Sequence, residues 1–217
     1  MYVVLGDVVS SRRLVDRREF QNKLEKTCEE INKVYAEDIY AEFKILKGTD
    51  EIAGVLSDLS NIYKIVSTIQ EQLYPNYMRF AVVLDHIDTA LESRDAALMD
   101  GPAFHKASDI MNKLKKSKLM FDMSVSDKII DTAISGQINL ILLLKKNWSP
   151  KQRLIVGEYE KTKNQSKIAK KLGITQQAVS KILGRSMWKE IKTIEGKLNQ
   201  ILRSYSQRQH AGRMPND

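Results

Sequence analysis

The sequence predicts an α+β protein in which an N-terminal part of mixed strands and helices precedes an all-helical C-terminal part. Three observations predict this class. Up to about residue 125, short β-type apolar runs alternate with segments whose apolar residues recur every three or four positions. After Pro150 only the helical period continues. Charge follows the same division, because residues 150–217 hold 15 Lys and Arg against 5 Asp and Glu (net +10), whereas the rest holds 20 against 22 (net −2).

The N-terminal pattern predicts the order strand, helix, strand, strand, helix, strand. These elements are expected at residues 2–5, 17–35, 43–47, 52–56, 59–73 and 78–84. This order is the split βαβ, ferredoxin-like pattern. A fifth strand is expected over 121–125, between a helix that starts near Pro102 and a helix that runs to Lys146 behind a cap at Ser126 or Asp127.

Three regions follow from these patterns. Residues 1–148 are expected to form the α+β domain, and residues 149–205 a helical domain that begins at Pro150, where a proline favours a helix start. Residues 206–217 lack apolar periodicity and are expected to be a disordered tail.

The composition is typical of a soluble cytoplasmic protein. The single cysteine, Cys28, excludes an internal disulfide and lies on the apolar face of a predicted helix, so it is expected in the core. The N-terminus does not have the pattern of a secretory signal. The longest apolar run, residues 138–144, is too short to cross a bilayer.

Residues 165–184 read QSKIAKKLGITQQAVSKILG and place small and apolar side chains where two crossing helices need them. Ala169 is small where a second helix must approach closely, and Gly173 follows the first helix at a position that favours left-handed backbone. Thr175 is a suitable N-cap for the second helix, and Val179 and Ile182 are expected to face inward. The spacing resembles the helix-turn-helix family across the whole segment.

The resemblance implies that the second helix enters the major groove of duplex DNA. Its outward side chains are Gln176, Gln177, Ser180 and Lys181, which can reach base edges, and glutamine can pair with adenine. Phosphate contacts are expected from flanking polar and basic residues, namely Thr175, Arg185, Lys163, Lys167, Lys170 and Lys171. A segment of net +10 suits phosphate. The alternative is that this segment contacts only protein.

A long helix expected after residue 186 carries an apolar seam in steps of four and three. The seam consists of Met187, Ile191, Ile194, Leu198, Ile201 and Tyr205. Pairing of two such seams would give a homodimer that presents two recognition helices. The alternative is that the seam packs against the N-terminal domain of its own chain.

Carboxylates are expected to meet at one edge of the sheet. In a split βαβ fold the end of the first strand lies beside the turn of the following hairpin. Asp7 closes the first strand, and Asp50 and Glu51 lie at that turn. Such a group suits Mg²⁺, which can bridge to the phosphates of a nucleotide. The alternatives are that these acids only cap a turn and decorate a hairpin, or that Lys47 neutralises them.

Short segments at residues 7–11, 47–51 and 101–107 resemble the palm-like fold of class III nucleotide cyclases and diguanylate cyclases. The layout from residue 1 to about 202 resembles the SatD family more closely. That resemblance rests on the early Gly-Asp pair, the acidic hairpin, the DGPAF segment from residue 100 and the C-terminal helix-turn-helix pattern. The SatD resemblance implies this layout of domains, and the cyclase resemblance implies metal or nucleotide binding in the N-terminal domain.

The chain also departs from the cyclase pattern. Phe104 and His105 stand near the position where cyclases usually carry a catalytic asparagine, and Thr49 separates Gly48 from Asp50. These departures argue against cyclase activity. The histidines lack metal-ligand spacing and are expected at the surface; they are His86, His105 and His210.

The sequence therefore favours a DNA-binding protein, a transcriptional regulator whose N-terminal domain senses a nucleotide or another small ligand. The alternative is a metal-dependent nucleotidyl transferase or cyclase-like enzyme with an attached DNA-binding module. A third hypothesis is an adaptor whose N-terminal domain binds only protein.

Overall fold

The computed structural model describes residues 1–11, 14–46 and 50–211. Within these residues it contains five strands and eight α-helices, so the predicted α+β class is confirmed. The strands are β1 (Tyr2–Val8), β2 (Ile39–Ile45), β3 (Glu51–Leu56), β4 (Met78–Leu84) and β5 (Phe121–Ser124). The helices are α1 (Arg17–Val34), α2 (Ile62–Leu73), α3 (Pro102–Lys115), α4 (Lys128–Lys146), α5 (Pro150–Thr162), α6 (Gln165–Leu172), α7 (Gln176–Arg185) and α8 (Trp188–Ala211).

The sheet has the strand order β2-β3-β1-β4-β5. The central strand β1 is antiparallel to β3 and β4, and β3 is antiparallel to β2. The first four strands therefore have the split βαβ arrangement that the element order predicts. The added strand β5 runs parallel to β4.

The register of β1 decides which side chains face α3. Val3 lies in the core cluster that α3 forms with one face of the sheet, and Leu5 packs against the same cluster. Side chains alternate along a strand, so Asp7 points to this face as well. Asp7 stands directly opposite Glu51 on β3 and Arg79 on β4. The sheet thus brings together charges that are far apart in the sequence.

Several element boundaries differ from the sequence prediction. β1 continues to Val8, and β2 occupies Ile39–Ile45 instead of 43–47. The start of β2 was not recognised because the strand contains polar residues. It is an edge strand with irregular register, so some of its side chains lie in solvent. Asp127 is the residue that caps α4, where its carboxylate accepts hydrogen bonds from the backbone N–H groups of Ile129 and Ile130.

The chain divides into two compact units, and the division falls within α4 and α8. Unit 1 comprises Met1–Asn139 and Asn199–Asp217, and unit 2 comprises Leu140–Leu198. The expected boundary near residue 148 lies inside unit 2, and the end of α8 belongs to unit 1. The Tyr205 hydroxyl donates to the carbonyl oxygen of Val125 (3.1 Å), and the Ser206 hydroxyl oxygen accepts from the backbone N–H of Leu59 (3.3 Å).

The predicted disordered tail from residue 206 is wrong at its start. Helix α8 continues to Ala211, and Ser206 is buried. The sequence shows no apolar periodicity here because the buried residue is Ser206, whose hydroxyl hydrogen-bonds to the backbone of Leu59. Residues 212–217 lie outside the described residues.

The predicted apolar seam of α8 is divided between buried and exposed positions. Ile191, Leu198 and Tyr205 are buried within the single chain, whereas Met187 and Ile201 are 46% and 40% exposed.

In the described part of the chain, no helix is long and apolar enough to cross a membrane.

Unit 2 has a small core of its own. Its buried residues come from three successive helices: Ile155, Val156, Ile168, Ala169, Val179 and Leu183. The predicted inward positions Ala169 and Val179 are confirmed, and Leu183 is a core residue that the sequence analysis missed. This core fixes α5, α6 and α7 against one another.

Candidate functional site

Local capping sets the geometry of α6 and α7. The Asn164 side chain caps α6 by accepting from the backbone N–H of Lys167 (2.9 Å). Gly173 ends α6 with φ +63°, a left-handed conformation that favours glycine. Thr175 caps α7, and its hydroxyl oxygen accepts from the backbone N–H of Ala178 (3.1 Å). The two helices are therefore joined by a tight turn over residues 173–175, as predicted.

The side chains predicted to contact DNA all lie in solvent. They are Thr175, Gln176, Gln177, Ser180, Lys181 and Arg185 around α7, and Lys167, Lys170 and Lys171 on α6. On α7, Gln176, Gln177, Ser180 and Lys181 share one face because residues four apart lie above one another. The opposite face carries Val179, which is fully buried. The helix thus presents a polar face that the core does not use.

The lysines around this face fall into two classes. The Lys171 ammonium lies 2.7 Å from a Glu158 carboxylate oxygen, and this contact lowers the pKa of Glu158. The Lys163 ammonium lies 2.8 Å from Glu160 and 5.0 Å from the ring centre of Trp188. Both lysines are therefore already engaged within unit 2.

A second class of basic residues makes no ion pair with any other described residue. It consists of Lys167, Lys170, Lys181 and Arg185. These four side chains can meet an external anion without first breaking a bond inside the protein. They are the strongest phosphate candidates of the predicted set.

One polar contact joins the two helices at the surface. The Ser166 hydroxyl donates to the amide oxygen of Gln176, with an Oγ–Oε1 distance of 3.2 Å. The sequence analysis did not single out Ser166. Ser166 could have been recognised as a short polar residue on the first helix, ten positions before Gln176, which is predicted to read bases.

A charged network anchors the start of α8 to α5. The Trp188 indole N–H donates to Glu160, and the Lys192 ammonium lies 3.1 Å from Glu160 and 2.9 Å from Glu195. Burial alone would raise the pKa of Glu160, but hydrogen bonds from Trp188 and two lysines lower it below its ordinary value. Burial alone would lower the pKa of Lys192, but the two glutamates raise it.

In unit 1, the backbones of Asp7, Asp50 and Glu51 lie together at one end of β1 and β3. Asp7 and Glu51 stand opposite each other, and the backbone carbonyl of Asp50 accepts from the N–H of Val8 (2.9 Å). The Asp7 side chain is only 8% exposed. Its oxygens lie 3.2 Å from Arg79 Nη1 and 2.9 Å from Lys115 Nζ. Two cations therefore compensate the charge of Asp7.

Lys115 bridges the two carboxylates, because its ammonium also lies 3.3 Å from Glu51. Burial alone would lower the pKa of Lys115, but Asp7 and Glu51 raise it above its ordinary value. Arg79 and Lys115 were not predicted as partners of Asp7. Lys47, the predicted neutralising residue, lies outside the described residues. Among the described residues, no group of three or more His, Cys, Asp and Glu side chains could hold a metal ion.

A cleft of about 280 Å³ adjoins this cluster, between α3 and the sheet. Its apolar lining includes Leu5, Ile52, Phe104 and Met111, and its polar lining comprises Asp7, Glu51, Ser108, Asn112 and Lys115. The volume is close to the lower end of the range for small-molecule sites. His86 and His105 are exposed, as predicted, and the side chain of His210 lies outside those described. Cys28 is buried, also as predicted, and burial and two nearby glutamates raise its pKa to about 12.

A family model described as the SatD family matches residues 1–195. The chain belongs to the SatD family. Among curated proteins, no sequence matches this SatD-family chain significantly.

A solved structure titled as a bacterial light-regulated adenylyl cyclase is similar to the SatD-family chain. The sequences are 14% identical, the TM-score is 0.39, and the match covers 57% of this chain and 42% of the cyclase chain. The SatD-family chain thus spans less than half the length of that protein. A likeness at this level carries no argument about activity.

Proposed function

We propose that this SatD-family protein is a transcriptional regulator that binds duplex DNA, with α6 and α7 acting as a helix-turn-helix. The observation that carries the proposal is the exposed polar face of α7, which lies beside cations with no ion-pair partner among the described residues. A helix that presents glutamine, serine and lysine side chains in this way can enter the major groove. Core residues such as Val179 occupy its other face.

Charge supports DNA over a protein partner. The C-terminal third carries a net charge of +10, and its α6–α7 surface includes four basic side chains that make no ion pair with another described residue. DNA binding releases counterions from phosphates, so such a surface gains affinity at low salt. Most protein partners would have to bury these cations at an energetic cost.

The test begins with selection of preferred sites from a random pool of duplexes, followed by binding isotherms at several salt concentrations. Gln177→Ala should cost about 1–3 kcal/mol on the preferred duplex and leave random duplex unaffected, because Gln177 reads a base edge. Lys170→Ala should weaken binding to every duplex and reduce the salt slope by about one, because Lys170 contacts phosphate.

Lys113→Ala is the matched control, since Lys113 is an exposed lysine on α3 of unit 1. It should leave all isotherms unchanged. A wild-type protein with no salt-dependent affinity for any duplex would overturn the proposed function. An equal loss for Gln177→Ala on preferred and random duplexes would remove that residue from base reading.

We further propose that unit 1 senses a nucleotide or another small ligand in the cleft beside α3. The cleft supports this proposal because it combines an apolar floor with hydroxyl, amide, carboxylate and ammonium groups. The test is a thermal-shift screen of nucleotides with and without Mg²⁺, followed by DNA isotherms with each stabilising compound. The full chain is needed, because unit 1 includes the end of α8. A ligand that stabilises the chain without changing DNA affinity would contradict a sensing role.

The metal-dependent nucleotidyl transferase or cyclase-like activity is the competing proposal. It draws on the opposed carboxylates of Asp7 and Glu51. Both carboxylates already contact Lys115, so a divalent ion would have to displace that ammonium. Product formation from a nucleoside triphosphate, abolished by Asp7→Asn, would favour this activity over sensing.

A further inference from the structure

The contact between Ser166 and Gln176 joins the first turn of α6 to the first residue of α7. The donor is the serine hydroxyl and the acceptor is the amide oxygen, at 3.2 Å. Both residues lie outside the core of unit 2, and Gln176 is exposed. The bond therefore does not fill a packing gap, and its main effect is on the orientation of the Gln176 amide.

That orientation matters because a glutamine amide has two unlike ends. Rotation of its terminal torsion by half a turn exchanges the carbonyl acceptor with the N–H donors at small cost. A base edge presents donors and acceptors in a fixed order, so only one amide orientation matches a given base pair. A glutamine whose amide is free to rotate loses conformational entropy on binding, whereas a glutamine that is already held in one orientation does not.

Ser166 holds the Gln176 oxygen toward α6, which directs the amide donors away from that helix. The neighbouring side chains differ in this respect. Within the described chain, Gln177, Ser180 and Lys181 make no side-chain hydrogen bond or ion pair. Gln176 is thus the pre-oriented member of the exposed face of α7.

We propose that Ser166 is a positioning residue that determines base specificity through Gln176. This inference rests on the proposed DNA-binding function and adds one residue that does not itself need to touch DNA. Ser166 contributes to discrimination between base pairs at the position that Gln176 reads. It contributes nothing to the affinity for random duplex.

The experiment compares wild type with Ser166→Ala, Ser166→Thr, Gln176→Ala and the Ser166→Ala/Gln176→Ala double variant. Each is titrated with the preferred duplex, with its single-base-pair variants and with random duplex. Ser166→Ala should reduce discrimination at one base pair by about 3- to 10-fold, the effect of one ordinary hydrogen bond. Its affinity for random duplex and its salt slope should equal those of wild type. Ser166→Thr retains the hydroxyl and should restore discrimination.

The double variant separates positioning from a structural role. In the Gln176→Ala background, Ser166→Ala should have no further effect, because its only route to the base is gone. An equal loss in both backgrounds, or an equal loss on preferred and random duplexes, would overturn the inference while leaving the proposed function intact. Absence of any DNA binding by wild type would overturn both. Melting temperatures of all variants show whether each one is folded.

Discussion

At the scale of the residue, Lys115 has the position that a bound cation would need. Its ammonium contacts both Asp7 and Glu51. The sequence predicts a divalent ion at Asp7 and Asp50, with Glu51 as a further ligand, and an ion that binds Asp7 competes with Lys115. Mn²⁺ should then raise the melting temperature of wild type, raise that of Lys115→Met more strongly and leave that of Asp7→Asn unchanged, because mass action stabilises only a chain that can bind the ion.

Lys116→Met provides the control for this measurement, since Lys116 is an exposed neighbour with no ion pair among the described residues. It should respond to Mn²⁺ as wild type does. The same melting temperature with and without Mn²⁺ in wild type and in Lys115→Met would contradict the metal prediction. In that case the acidic pair would be a structural ion-pair cluster.

Glu160 makes the stability of unit 2 depend on pH. Its folded-state pKa is lowered, so its contribution is present above the ordinary glutamate pKa of about 4.3 and is lost as pH falls through the lower folded value. Glu160→Gln should therefore reduce the free energy of unfolding at pH 7. The difference from wild type should shrink as the pH falls below about 4.3.

Denaturant titrations between pH 3 and pH 7 measure this difference. Glu190→Gln is the control, because Glu190 is an exposed residue of α8 without an ion pair in the described chain. It should follow the wild-type curve at every pH. A constant difference between Glu160→Gln and wild type over the whole range would mean that lost packing, not lost charge, is responsible.

At the scale of the element, α8 shows how one apolar pattern can serve two purposes. The buried positions Ile191, Leu198 and Tyr205 are used within the chain, so a dimer could employ only the exposed remainder of the seam. We expect a homodimer at micromolar concentration that Ile201→Asp converts to monomer without lowering the melting temperature. Sedimentation velocity measures the mass, and Gln200→Asp, at the neighbouring exposed position, is the control.

A wild-type monomer that still binds its preferred duplex tightly would contradict the dimer prediction. Leu198→Asp is unsuitable for this purpose. Leu198 is fully buried, so a charge there would unfold the chain whatever its oligomeric state.

Elements with strong local signals were predictable from the sequence. The apolar run of β4 predicted both of its end residues correctly. The predicted cap Thr175 marks the start of α7, because capping is decided within one helical turn. The irregular edge strand β2 was misplaced by four residues at its start. Its pattern depends on pairing with β3, which the local sequence does not encode.

The partners of Asp7 were not predicted because they depend on strand register and on helix packing. Arg79 and Lys115 lie 72 and 108 positions further along the chain. A local signal for Arg79 does exist. It is the single charged residue in the apolar run of β4, and a charge inside a buried strand needs an opposite charge nearby.

At the scale of the whole molecule, unit 1 is built from two separate stretches of sequence. Tyr205 and Ser206 hydrogen-bond to Val125 and Leu59, and Leu202 is fully buried. Removal of residues 199–217 should therefore lower the melting temperature of unit 1. Tyr205→Phe should cost about 0.5–1.5 kcal/mol, the value of one hydrogen bond.

Scanning calorimetry of the full chain, of Tyr205→Phe and of the truncated chain checks both statements. Gln207→Ala, at an exposed position of α8, is the control and should leave the transition unchanged. Equal transitions for all four proteins would show that residues 1–139 are stable without the end of α8.

The same discontinuity has a consequence for biosynthesis. Ribosomes add about 5–20 residues per second, and domains generally fold as they emerge. Here the end of α8, which completes unit 1, is translated after all of Leu140–Leu198, so the α+β sheet cannot acquire its last contacts until unit 2 has been synthesised. A prematurely terminated polypeptide would lack the contacts at Leu59 and Val125 and expose that surface to quality-control proteases. Translation through Tyr205 and Ser206 is thus a condition for a finished unit 1.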